Sequence, residues 1–368
     1  MITKLVIENL KHRWVRTLLS ALVIGVQVMS ILTILGLSRG ILNDSAQRAK
    51  GTGADIFLKP DTGGTISFST GQVREAFVDL VRKQPHVARA VGVLMIALPG
   101  GITNLSGVNI PEFQRISPGF RFLQGGPPQT PDGLIVDEYY ARQNKVQIGE
   151  TVKLLNHDWH VSGVIQGGVL ARLIVQLRTL QALTGNADPP RVSQILVKVD
   201  DPARTDQEVA YLNQLLKGNL RAVSIQEFTS QLNINNIPSL KAFIAVITAL
   251  AVVVGFLVVF LSMYTAVVER TREIGILKAL GAKPGTVVGI LVREALVLAI
   301  LGSAIGILLS FGAKALIMNM VPASLQVVDV PDWWPIAAAI AIGGALLGAT
   351  YPGMKAARQD AIEALAYE

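Results

Sequence analysis

The stretch from Ala242 to Val268 reads AFIAVITALAVVVGFLVVFLSMYTAVV and holds not one charged side chain. About 20 apolar residues suffice for a helix to cross the hydrocarbon of a bilayer, so this run predicts a membrane span with length to spare. Three further stretches share the property: Thr17 to Ser38, Ala295 to Ala313 and Trp333 to Met354. The whole chain of 368 residues is 51% hydrophobic and 16% charged, with no Cys. A soluble domain averages about 25% charge. Every charged side chain falls outside the four runs, and there the charged share rises close to that of an ordinary soluble domain. The chain is therefore part membrane and part water, which excludes a disordered polymer, a disulfide scaffold and a purely soluble globule.

The first run is longer than the apolar core of a cleaved signal peptide and lacks a small-x-small cleavage site after it, so it is expected to stay as a helix. Four spans put both termini on one side. Segments 1–16, 269–294 and 355–368 are rich in Lys and Arg, whereas 314–332 holds only Lys314. The positive-inside rule then expects a multi-pass protein of the plasma (inner) membrane with cytoplasmic termini, 39–241 outside, and 314–332 an outer loop. The net charge of +7 reflects this topology. No aromatic-rich basic motif accompanies it, so nucleic acid is not expected as a partner.

Within 1–16, Ile2, Leu5, Val6, Leu10 and Trp14 fall opposite Lys4, Glu8, Lys11 and Arg16, the pattern of an interfacial elbow helix. The inserted region 39–241 predicts an α+β domain. Ala54–Lys59, Val87–Leu98, Ile102–Val108, Thr151–Leu155, His160–Ile165 and Val192–Val199 read as strands, and Gly71–Lys83, Asp137–Lys145 and Thr205–Leu216 as helices. The Pro- and Gly-rich stretch Pro111–Gly133 suggests a division into two subdomains. The run 242–268 is expected to extend outward as a stalk, since it outlasts the bilayer and follows a helical stretch at Gln226–Leu232.

Catalytic patterns are weak. Gly36-Leu-Ser-Arg-Gly40 matches G-x-S-x-G, but a membrane helix stands where a nucleophile elbow needs a strand. His157 and His160 sit at i, i+3, which on a strand point to opposite faces, so no metal site is expected. No phosphate-binding loop occurs, so any ATP would be bound by a partner and the chain itself needs no cofactor. Gly302-Ser-Ala-Ile-Gly306 and Gly344-Ala-Leu-Leu-Gly348 place small residues four apart, where helix backbones approach closely, within one chain or between chains.

Glu269-Arg-Thr-Arg-Glu-Ile-Gly-Ile-Leu-Lys-Ala-Leu-Gly-Ala-Lys283 is the most informative segment. Glu269 and Arg272 are helical neighbours, and Ile274, Leu277 and Leu280 form an apolar stripe. Gly281 suits a helix end and Pro284 forbids continuation. The segment predicts a short charged helix at the inner membrane face, either a hairpin between spans or a knob that docks on a cytoplasmic partner.

Arg270-Thr-Arg-Glu-Ile-Gly-Ile-Leu-Lys-Ala-Leu-Gly-Ala282 closely resembles the hallmark of the FtsX-like permeases, the MacB/LolC/FtsX family of ABC transporter membrane subunits. Asn9-Leu-Lys-His-Arg-Trp-Val-Arg-Thr-Leu-Leu-Ser20 resembles the family's entry to the first span. Tyr351-Pro-Gly-Met-Lys-Ala-Ala-Arg358 with Ile362-Glu-Ala-Leu365 resembles its C-terminal signature, apart from Ala361 and Ala366, where Pro and a basic residue are common. Ile135-Val-Asp-Glu-Tyr-Tyr-Ala-Arg142, Ile148-Gly-Glu-Thr-Val-Lys-Leu154 and Val161-Ser-Gly-Val-Ile165 are similar to the MacB-type extracytoplasmic domain.

The resemblance implies a stand-alone permease of four transmembrane helices and an inserted α+β domain, working by mechanotransmission. A separate ABC ATPase would push the segment 269–281. Glu269, Arg270, Arg272, Glu273 and Lys278 would make the partner contacts, Ile274, Leu277 and Leu280 would present the apolar ridge, and Gly275 and Gly281 would permit close approach and termination. Besides the ATPase, it implies a second permease chain, identical or paired, and in tripartite assemblies a membrane-fusion protein. The alternative is an FtsX-like regulator that activates a cell-wall hydrolase outside the membrane.

Overall fold

The computed structural model describes residues 8, 14–61, 71–99, 103–116, 120–320 and 326–358. The expected elbow helix and the last part of the C-terminal signature lie outside the described residues. The chain folds as two compact units. One comprises Met1–Ser38, Pro238–Ile317 and Val327–Glu368, and the other Arg39–Ile237 and Met318–Gln326.

The first unit is built from four helices long and apolar enough to cross a membrane: Trp14–Gly51, Pro238–Glu269, Pro284–Met320 and Trp334–Arg358. We call them spans one to four. Each outlasts its charge-free run, because a helix keeps its backbone bonded whether lipid or water surrounds it. Within 269–294 the short helix Thr271–Ala279 is followed, after a short turn, by the start of span three. Pro284, whose missing N–H costs nothing at a first helical position, opens span three well before the charge-free run begins at Ala295.

The glycine pairs bring spans together within the chain. A Cβ on Gly302 would stand 2.6 Å from Ile24 Cβ and 2.9 Å from the Ala21 carbonyl, and one on Gly306 2.6 Å from the Gly25 carbonyl. Spans one and three thus touch backbone to backbone. Gly348 does the same for spans four and two, 2.8 Å from the Phe256 carbonyl, whereas at Gly344 the nearest atom is 3.8 Å away. Ser20 and Ser262 share a 2.9 Å hydrogen bond between spans one and two, and the buried Gln27 side chain lies against Gly255.

The second unit is a mixed sheet covered on both faces. Its strands are β1 (Ile56–Pro60), β2 (Val73–Arg74), β3 (Val87–Ala97), β4 (Asn104–Val108), β5 (Phe122–Gly125), β6 (Gly133–Asp137), β7 (Thr151–Leu154), β8 (His157–Ile165), β9 (Leu173–Gln176), β10 (Arg191–Val192), β11 (Gln194–Val199) and β12 (Leu220–Ser224). The main sheet runs β12-β1-β11-β3-β4-β9-β6-β8-β5, with β7 beside β8; β4–β9 and β6–β8 are parallel and the other pairs antiparallel. Side chains alternate between two cores. Ile56, Leu58, Leu134, Val136, Leu173 and Val175 join one, under helices Ala76–Arg82, Leu177–Leu183 and Thr205–Leu215. Phe57, Ile135, Ile174 and Leu196 join the other, with Ala49 of the first long helix, Phe113 and Ile225. The sheet passes from β4 through β9 to β6 without a break, so Pro111–Gly133 does not divide it. That stretch instead supplies a one-turn helix capped by Asn109 and the edge strand β5.

A buried ion cluster fastens the far end of the first long helix to this sheet. Arg172, 2% exposed, reaches Asp44 at 3.2 Å and Asp137 at 3.6 Å, and Arg48 pairs with Asp44 at 2.9 Å. Arg172 also lies over the Tyr139 ring at 5.5 Å. Burial lifts the Asp137 carboxyl to about 6, against the Tyr140 N–H and the nearby guanidinium groups, which pull it down.

Packing of this kind sets two measurable outcomes. Gly302→Leu drives a side chain into the span-one backbone and costs about 1–3 kcal/mol, read as a lowered thermal midpoint in detergent. The folded Asp137 pKa lies above the ordinary carboxylate value, so its contribution to stability is full below about pH 4 and is lost as pH rises through 6. Limited proteolysis of the module between pH 4 and 7 should therefore slope less in Asp137→Asn than in the parent.

Candidate functional site

Span two ends at Glu269, and the chain breaks helical geometry for one residue at Arg270 (φ −113°, ψ 20°) before the helix Thr271–Ala279 begins. The Thr271 hydroxyl donates to the Val267 and Val268 carbonyls at 3.1 and 2.9 Å and so bonds the last turn of the span across the break. At the other end, Gly281 takes φ +93°, its N–H donates to the Lys278 carbonyl at 2.9 Å, and Ala282 N–H donates to the Leu277 carbonyl at 3.0 Å. Only a residue at ease in the left-handed region closes a helix this way. Shortly afterwards Pro284 starts span three.

This short helix is held in place by charge. Arg270 is 9% exposed and meets Glu294, 2% exposed, at 3.5 Å. Arg16 of span one pairs with Glu269 at 3.0 Å and approaches Glu294 at 4.0 Å. Lys278 donates to the Ala357 carbonyl in span four at 2.8 Å. Buried charges are tolerable only when paired like this.

The residues expected to meet a partner therefore separate into two sets. Ile274 and Gly275 are buried within their own unit, so Ile274 is not part of an outward apolar ridge. Arg270 faces Glu294, Glu269 faces Arg16, and Lys278 faces span four; these three charges anchor the helix from within the chain. Arg272, Glu273, Ile276 and Leu280 are exposed, Leu280 at 81%, and Leu277 is half-buried. Sequence reasoning missed Arg16 and Glu294 as partners of this segment. The available signal was a carboxylate placed immediately before a charge-free run, where an unpaired charge would be costly.

The remaining candidates have local roles. Ser38 lies inside the first long helix and donates to the Ile34 carbonyl at 2.8 Å, with no strand before it. His157 bonds Asp132 at 2.9 Å and His160 bonds Thr151 at 3.0 Å. Among the described residues no three His, Asp or Glu side chains gather to hold a metal.

Comparison with known proteins gives two family matches. The family described as FtsX-like permease C-terminal matches residues 245–361, and the MacB-like periplasmic core domain matches residues 17–215. The macrolide export ATP-binding/permease protein MacB of Hahella chejuensis is 25% identical over 98% of this chain and 60% of its own length. An uncharacterized ABC transporter permease, YknZ, of Bacillus subtilis is 27% identical over 60% of this chain and 55% of its own. The chain thus spans 55% to 60% of the length of these curated relatives. Among solved structures, the periplasmic region of MacB from Actinobacillus actinomycetemcomitans aligns with 51% of this chain and 94% of its own at 18% identity and a TM-score of 0.38. The extracellular domain of YknZ aligns with 46% and 98% at 14% identity and a TM-score of 0.35.

The anchor makes a distinctive double-mutant expectation. Glu294→Gln leaves Arg270 buried beside a neutral amide and should cost about 3–5 kcal/mol, whereas Arg270→Met with Glu294→Met removes both charges and should recover most of that loss. Thermal unfolding of the parent, the single and the double variants in one detergent measures the difference.

Proposed function

The chain belongs to the FtsX-like permeases with a MacB-like periplasmic core domain, and on that footing we propose that it is the membrane subunit of an ABC exporter working by mechanotransmission. An ABC ATPase on a partner chain binds and hydrolyses ATP, and its movement is delivered to the coupling helix. The Lys and Arg distribution supports a cytoplasmic position for that helix and an outer position for the sheet module. Arg272, Glu273, Ile276 and Leu280 form the contact face, a mixed charged and apolar surface suited to a cleft on the ATPase.

The observation that carries this reading is the asymmetry of the helix Thr271–Ala279. Its start is fixed by Arg270–Glu294 and Arg16–Glu269 and its last turn by Lys278; Ile274 and Gly275 are buried, and Arg272, Glu273 and Ile276 are exposed. A loop that merely joins two spans needs no such footing. Two permease chains, identical or paired, with two ATPases form the working assembly, and the module opens or closes on the far side of the membrane to move or release substrate there.

Arg272→Glu combined with Glu273→Arg keeps the net charge and leaves the buried face untouched. With the ATPase partner co-reconstituted, permease-dependent stimulation of ATP hydrolysis should fall to the basal rate while insertion and thermal midpoint stay as in the parent. Undiminished stimulation by this variant would overturn the assignment of the contact face.

A further inference from the structure

The sheet module carries a groove of about 880 Å³ that neither the coupling helix nor the ion clusters use. Its walls follow from local backbone geometry. Lys145 takes φ +54° and ends the helix Glu138–Asn144, with Val146 N–H donating to the Ala141 carbonyl at 3.0 Å. The chain then turns away before β7, leaving Ala141 and Val146 facing Val164 of β8 across an apolar floor. The opposite wall is β5, through Leu123 and Gln124. Leu123 is 50% exposed and Ile148, at the rim, 41%.

Two features say what such a groove accepts. β5 is the last strand of the sheet, paired to β8 on one side, and among the described residues no strand pairs with its other side. An open strand edge offers main-chain donors and acceptors to an extended peptide, with a neighbouring pocket left to choose its side chains. Among the side chains that line the groove the charge is net positive. Arg142 and Lys145 line the groove with a single carboxylate, Glu138, which already lies 3.5 Å from Arg142 and accepts the Gly167 N–H at 3.4 Å. A fatty chain would fill the floor and leave both the strand edge and the cations idle.

We propose that this groove seats an extended acidic peptide segment of a partner protein on the module's side of the membrane, added as a strand to β5. A branched apolar side chain of the segment rests on Val164 between Leu123 and Val146, and a neighbouring carboxylate meets Arg142 and Lys145. The register shift between Phe122 and Gln124 limits main-chain pairing to a few residues, so the pocket supplies the selectivity. Nothing in this depends on how the ATPase is engaged.

The test uses the full chain in nanodiscs and two fluorescein-labelled heptapeptides, one alternating Val and Glu and one alternating Val and Lys, read by fluorescence anisotropy. The Glu peptide should bind about tenfold tighter than the Lys peptide or better, a difference carried by the two cations. Arg142→Glu with Lys145→Glu should abolish the preference, and Leu123→Pro, which alters the β5 wall of the groove, should weaken the Glu peptide by a similar factor. Ile148→Glu serves as a second groove variant should Leu123→Pro lose its fold by circular dichroism. Equal affinity for the two peptides, or unchanged affinity in both the charge and groove variants, overturns the proposal. So does a fall in oligomer mass on Leu123→Pro with peptide binding intact, which would make the edge a contact between copies of this chain.

Discussion

The pairing of Arg270 with Glu294, extended by Arg16 and Glu269, is the interaction on which the membrane unit depends. All four charges sit where apolar helix gives way to polar chain, and two of them are almost wholly buried. A carboxylate or guanidinium removed from water is prohibitively costly alone and tolerable with a partner, so the position of one fixes the position of the other. The consequence is mechanical. Span one, the end of span two, the coupling helix and the start of span three are tied at one knot, and Lys278 adds span four. The short helix Thr271–Ala279 is thus held at both of its ends.

Above the knot, rigidity comes from the absence of side chains. Gly302 and Gly306 let span three meet span one at backbone distance, and Gly348 does so for spans four and two. Membrane helices gain no hydrophobic drive from one another, so close backbone contact and the few polar links, such as Ser20–Ser262, supply the association. The helix Trp14–Gly51 is unbroken and contributes residues to both units. Arg16 lies near its start, and Asp44 and Arg48 near its end, paired with Arg172 of the sheet. An ion cluster meets this helix near each end.

What the sequence disclosed follows from how each feature is selected. The four spans were legible because the hydrocarbon excludes charge over a fixed length, but their ends were not, since helices such as Pro284–Met320 continue in water under ordinary rules. Strands rich in β-branched residues between Gly, Pro and Asp breaks were readable; β6 and β9 read only as short runs such as Leu134-Ile-Val136, and so escaped notice. The coupling helix was legible from its stop signals, Gly281 and Pro284. Its orientation was not. The stripe Ile274, Leu277, Leu280 gave no inward or outward sense, and Leu280 falls beyond the last helical turn, where it is exposed while Ile274 is buried. The choice between them is made by Glu294, 24 residues away from Arg270 in sequence and invisible to any local pattern.

Several polar groups inside the spans bond within their own helix or to a neighbouring span. Ser30, Ser38 and Ser303 donate back to carbonyls one turn earlier in their own helices. Gln27 packs against Gly255, and Ser20 bonds Ser262. An ion or solute route through a membrane protein is ordinarily marked by ionisable side chains or unwound backbone at mid-depth. Here the charged residues gather toward the ends of the helices, and small residues together with a few polar side chains occupy the middle.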